Sequence, residues 1–240
     1  MIAELPGQAS VGVYIDAPVV VVLDEFQAVL GAATQIDATI RSEIQHHDQV
    51  GYVFAGSHLG MMRALFSDRA RPFYAQAPAV ELGPLPSGPL AEYVGSRFEA
   101  EGRDCQRVLG LLLDVARGHP QRSMMLAAHL FARTPGGTAA DEATFEDALS
   151  GALLEADGEL HGRWDALTIS QRRAIAALAS GEPPFSQTAA REHGTSKGAT
   201  GKALAVLAEA GDIAQDPTAS TGWIIIDPFM HEWLRRRDRL

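Results

Sequence analysis

The chain has 240 residues, 46% of them hydrophobic, and a formal net charge of −10 at pH 7, enough to bury a core in one large domain or two smaller ones. No apolar run approaches the roughly 20 residues of a membrane span, no basic stretch followed by an apolar core marks a signal peptide, and the lone Cys105 excludes an internal disulfide and fits a reducing cytoplasm. Residues 1–162 hold 10 basic and 21 acidic side chains, whereas residues 163–240 hold 10 and 9, a shift that marks a domain boundary and makes the second part the less unfavourable surface for nucleic acid, though not a strongly basic one.

Val11, Val13 and Ile15 alternate and suit a brief strand. Pro18 to Phe26 reads Pro-Val-Val-Val-Val-Leu-Asp-Glu-Phe. Its unbroken aliphatic run suits a strand buried on both faces, as in a parallel sheet covered by helices. Two carboxylates, Asp24 and Glu25, stand at its carboxyl end, where open α/β sheets bind ligands. This is the form of a Walker B motif, in which the first acid helps hold Mg²⁺ and the second activates the water that attacks a γ-phosphate. A core strand followed by a solvated turn is the plainer alternative.

Thr34 can cap a helix to about His47, with Ile36, Ile40 and Ile44 on one stripe. His46 and His47 are adjacent and face different ways, so a solvated helix end suits them better than a metal site. Gln49–Ser57 reads as a second buried strand ending in a small polar residue. Leu59–Phe66 is a helix, and the following loop holds Arg69 and Arg71. Ala79–Leu82 is expected to be a third short strand, stopped by the prolines at 84, 86 and 89.

From Leu90 the period is helical, with helices at 90–101, 107–117, 121–133 and 142–155, and Gly118-His119-Pro120 lies between the second and third. Ser170 caps a helix over 171–179, a short helix covers 186–192, and a third runs from Ser196 to Ala210. Ile213–Gln215 and Trp223–Ile226 pair as a hairpin. Asp227-Pro228 opens a last helix ending in Arg235, Arg236 and Arg237, which suits its dipole. Three helices followed by a hairpin make a winged helix-turn-helix pattern.

Six stretches together resemble the archaeal-type P-loop ATPases, relatives of the AAA+ and STAND proteins. They are Val-Val-Val-Val-Leu-Asp-Glu-Phe-Gln at 19–27, Ile-Arg-Ser-Glu-Ile-Gln at 40–45, Tyr-Val-Phe-Ala-Gly-Ser at 52–57, Leu-Phe-Ser-Asp-Arg-Ala-Arg-Pro-Phe-Tyr at 65–74, Gly-His-Pro at 118–120 and Asp-Pro-Phe-Met-His-Glu-Trp-Leu at 227–234. The resemblance implies an α/β fold: a partial P-loop NTPase parallel sheet over residues 1–86, a helical lid over 87–160 and a winged-helix domain over 161–240. It implies ATP and Mg²⁺ as cofactors, Asp24 as the Mg²⁺-side acid and Glu25 as the base. Ser57 takes the sensor-1 position, His119 and Pro120 resemble the lid motif that approaches the nucleotide, and Arg69 or Arg71 supplies charge to phosphate. Each of these has a plainer alternative: Ser57 as a helix cap, 118–120 as an interhelical turn, the arginines as solvated. Relatives often carry Gly-Arg after the Pro-aromatic-Tyr stretch, where this chain has Ala75-Gln76.

A Walker A loop needs Gly-x-x-x-x-Gly-Lys-[Ser/Thr] so that backbone N–H groups and a lysine cradle the phosphates. The 17 residues before Pro18 contain no lysine, and the two lysines of the chain are Lys197 and Lys202. Gly198-Ala-Thr-Gly-Lys-Ala has the wrong glycine spacing and lies in the winged-helix region. The chain is therefore expected to be a family member without its amino-terminal part, binding ATP poorly and hydrolysing none detectably alone. The leading function is a nucleotide-dependent regulatory switch whose winged helix contacts a protein partner. A DNA-binding transcriptional regulator using Lys197 and Lys202 is the alternative, and a self-associating fragment with exposed apolar edges is the third.

Overall fold

Val19–Leu23 forms β1 and Val50–Phe54 forms β2, and the two run parallel, with Val19 opposite Val50 and Leu23 opposite Phe54. This computed structural model describes residues 19–29, 35–188 and 196–237. It divides into two units, Met1–Ala79 and Val80–Leu240. The expected strand at 11–15, Pro18 and the cap at Thr34 lie outside the described residues.

Parallel pairing needs a crossover, and the first unit supplies α1 (Ile36–Ile44) between the strands. α2 (Leu59–Ser67) follows β2. Phe26, Leu65 and Phe73 form the buried centre, against which Leu23, Ile40, Ile44, Phe54, Met62 and Phe66 pack. These side chains lie on one face of the two strands. On the other face Val20 is 66% exposed, Val22 61% and Val53 49%. The expectation of a strand buried on both faces is thus corrected for the described residues. An all-aliphatic run carries no alternation, so it cannot say whether one face or two will be covered.

The strand expected at Ala79–Leu82 is also corrected. Among the described residues the segment joins no sheet, and Val80 and Leu82 are 82% and 94% exposed. Apolar residues favour a strand only where a neighbour takes up the backbone hydrogen bonds.

The second unit contains α3 (Ser87–Ala100), α4 (Gln106–Ala116), α5 (Pro120–Arg133), α6 (Glu142–Ala166) and α7 (Ile169–Ala179), followed by α8 (Lys197–Ala210), β3 (Ile213–Gln215), β4 (Trp223–Ile225) and α9 (Pro228–Arg237). β3 and β4 are antiparallel, with Ile213 opposite Ile225. One buried cluster runs from Leu90 through α6 to Leu234.

α6 is far longer than its expected end at residue 155. Gly158 and Gly162 each weaken a helix by about 1 kcal/mol against alanine. The buried stripe Phe145, Leu149, Ala152, Ala156 and Leu160 carries the helix through both. α7 begins earlier than expected, because Thr168 and not Ser170 is its cap, in a capping box with Gln171. Most of the short helix expected at 186–192 lies outside the described residues.

Candidate functional site

The ladder continues past β1, with Ala55 N donating to Leu23 O at 2.9 Å and Phe26 N to Ala55 O at 2.9 Å. Asp24 and Glu25 occupy the turn between these bonds, both exposed. Glu25 has φ 48° and ψ 39°, a left-handed conformation uncommon for a residue with a side chain and frequent at functional sites. Asp24 Oδ1 accepts the Glu25 backbone N–H at 2.9 Å.

Ser57 Oγ donates to Glu25 Oε2 at 3.0 Å, joining the ends of the two parallel strands. Ser57 therefore does not cap α2, whose N-cap is His58 without a side-chain bond. Gln27 Nε2 donates to the same carboxylate oxygen and approaches Ser57 Oγ at 3.5 Å. The bonds from Gln27 and then Ser57 favour the ionised form and hold the Glu25 carboxyl below its ordinary range.

The donors here are hard oxygens, suited to Mg²⁺ and not to a soft metal. Among the described residues no group of three or more His, Cys, Asp or Glu side chains could hold a metal by itself. Mg²⁺ beside a nucleotide takes one or two carboxylates and completes its shell with water and phosphate oxygens. Asp24, exposed at the end of β1, offers one such carboxylate.

Arg71 is committed elsewhere. Its Nη1 lies 3.2 Å from Oδ2 of Asp37, a buried carboxylate on α1 whose burial it offsets. Arg69 is exposed on the same turn. Among the described residues neither arginine bonds to Asp24, Glu25 or Ser57. The turn ends at Ala75, which has φ 55°. A glycine would suit that conformation better than alanine does.

Gly118-His119-Pro120 lies in the second unit. Gly118 has φ 71°, and a Cβ there would sit 2.5 Å from the Leu85 carbonyl oxygen. Its own carbonyl accepts the Leu85 N–H at 2.8 Å. Gly118→Ala is expected to cost about 1–3 kcal/mol from backbone strain and this clash, read as a lower urea midpoint. An unchanged midpoint would show that the turn tolerates a side chain. His119 caps α5, its ring accepting the Arg122 N–H at 3.4 Å, and Pro120 takes the first helical position. Burial lowers the His119 pKa.

Arg122 escaped the sequence reading. It is 1% exposed. Its Nε and Nη2 donate to the two oxygens of Asp227 at 3.2 and 2.8 Å, and Nη2 reaches Glu159 at 2.7 Å. Arg163 joins Asp227 at 2.7 Å to Asp212 at 2.8 Å. Two arginines and three acids thus tie α5 and α6 to the hairpin and α9.

Lys197 and Lys202 are exposed in the first turns of α8. Five residues apart, they point roughly 140° away from each other around the helix axis. The arginines of α9 are held by the protein: Arg235 by Glu232 at 3.2 Å, Arg236 by Glu146 at 2.9 Å, and Arg237 over Trp164 and Trp233 at 5.1 Å from each ring.

No family model and no curated protein matches the chain in sequence. Among solved structures, its fold is similar to that of a Walker-type ATPase of Pyrococcus abyssi, with a TM-score of 0.69 and 16% sequence identity. The match covers 90% of this chain and 63% of that one. The chain thus has a mostly helical α/β fold of the Walker-type ATPase kind and spans under two thirds of that protein's length. No helix among the described residues is long and apolar enough to cross a membrane.

Proposed function

We propose that these residues supply the acidic half of a Mg²⁺–nucleotide site in an AAA+/STAND-like ATPase, and that the protein is a nucleotide-dependent regulatory switch. The observation that carries this is the bond from Ser57 at the end of β2 to Glu25 at the end of β1. That contact sets a carboxylate and a hydroxyl side by side at the end of parallel strands where such folds bind ligands. Asp24 would hold Mg²⁺, which neutralises phosphate charge when bound. Glu25, ionised, would orient the attacking water and take its proton. Ser57 would sense the terminal phosphate at its strand end. Arg69 and Arg71 would add positive charge, Arg71 after leaving Asp37. The sequence holds no Gly-x-x-x-x-Gly-Lys-[Ser/Thr], so the phosphate cradle has to come from outside these residues.

Residues 161–240 would form a winged helix that contacts a protein partner. The divergent lysines of α8 and the internally held arginines of α9 favour protein over DNA as its partner.

The test is a titration with a fluorescent ATP analogue, with and without Mg²⁺, alongside light scattering for self-association. At best weak binding and no detectable turnover are expected from the chain alone. Tight binding with turnover that disappears in Glu25→Gln would overturn the claim that the cradle lies elsewhere.

A further inference from the structure

Gln27 is buried, whereas Asp24, Glu25 and Ser57 beside it are exposed. Its amide fits a socket made by Gly56 and Met62. A Cβ on Gly56 would lie 2.1 Å from Gln27 Oε1 and 2.8 Å from Met62 Sδ, so glycine leaves the room the amide occupies. Oε1 is buried and has no hydrogen-bond partner among the described residues. An unpaired buried carbonyl is costly and calls for a compensating role at the other end of the group. That other end, Nε2, meets Glu25 and Ser57.

The donors and acceptors close a triangle. The Ser57 hydroxyl and the Gln27 amide both donate to one oxygen of Glu25, and Gln27 Nε2 lies 3.5 Å from Ser57 Oγ. Both partners of Glu25 are donors, which suits an ionised carboxylate. Glu25 also sits in a left-handed backbone conformation, which needs support from its surroundings.

The geometry points to Gln27 as the positioning residue of this site: its amide clamps the Glu25 carboxylate onto Ser57, so that Glu25 takes a proton from an attacking water only once Gln27 lets go. This rests on reading Glu25 as the base. The clamp itself is independent of any nucleotide, so it is tested without one.

The experiment is NMR on the full chain, free of nucleotide and metal, following water exchange of the Gln27 side-chain amide and the ¹³C resonance of the Glu25 carboxyl at one fixed pH. The Gln27 amide protons are expected to exchange about tenfold more slowly than those of the exposed Gln121. Glu25→Gly suits the left-handed backbone and should abolish that protection. Gln27→Leu fills the socket without a donor and should move the Glu25 carboxyl resonance while the methyl resonances of Leu65 stay in place. A core disturbance without a clamp would do the reverse. Exchange as fast as that of Gln121, or a Glu25 resonance unmoved by Gln27→Leu, would overturn the proposal. Protection together with a failed nucleotide titration would keep the clamp and sink its link to hydrolysis, so the two readings fail separately.

Discussion

Asp227→Ala is expected to destabilise the Val80–Leu240 unit by about 3–5 kcal/mol, the cost of stranding a buried charge. Asp227 accepts from Arg122, Arg163 and the Phe229 N–H, all within 3.2 Å. Without it, the Arg122 guanidinium keeps one acid, the half-exposed Glu159 at 2.7 Å. Small domains hold about 5–15 kcal/mol in all, so the midpoint in urea should fall steeply. The double variant Arg122→Leu with Asp227→Ala should recover part of the loss, because no buried charge is then stranded and Glu159 is left half-exposed to water. Additive losses would show that the two residues act independently.

The same residue sets a pH dependence. Burial alone would raise the Asp227 pKa, but the hydrogen bonds and charge of Arg122, followed by the charge of Arg163, outweigh it and leave the value lowered. A lowered folded value means that the unfolded state binds the proton more readily, so stability rises with pH through this window. The contribution is complete above the ordinary aspartate value of about 3.9 and is lost as pH falls through the lower folded value. Urea midpoints measured across that range should slope in the parent protein and flatten in Asp227→Ala.

Phe73→Ala is expected to have an effect of similar size on the smaller unit, about 3–5 kcal/mol. Phe73 is fully buried and meets the rings of Phe26 at 5.4 Å, Phe54 at 5.3 Å and Phe66 at 5.6 Å. Among the described residues it shares the buried centre of that unit with Phe26 and Leu65. Phe26 follows Glu25 directly, and Phe54 ends the strand that leads to Ser57, so losing the ring loosens the floor of the acid site. Hydrogen exchange should show β1 and β2 opening at much lower free energy while α5 and α6 keep their protection. Equal protection of β1 and β2 in parent and variant would refute this.

Several of these elements were legible in the sequence for physical reasons. The aliphatic run of β1 and the turn after Gln215 carry local patterns that tertiary packing preserved. The Thr168-x-x-Gln171 capping box is also a local pattern, although Ser170 two residues on offers a competing hydroxyl. Placing Ser57 beside Glu25 needed only parallel register between neighbouring strands. Gln27 could not be found this way, because its burial depends on the absence of a side chain at Gly56. Arg122 and Asp227 lie 105 residues apart, and no local periodicity links them. No strand forms at 79–82 among the described residues, where no neighbouring strand takes up its backbone, and the one-sided cover of β1 was invisible because valine stands on both faces.

The unbroken course of α6 bears on how such a protein can be divided. A gene fragment beginning at residue 161 would start inside a helix, leave Asp227 without Arg122 and, lacking the apolar stripe of α6, uncover the face of α9 that packs on it. The hairpin-bearing end therefore cannot be transplanted as a free cassette. Recombination or protein engineering would have to move it together with everything from about Val80 onward, as one heritable block.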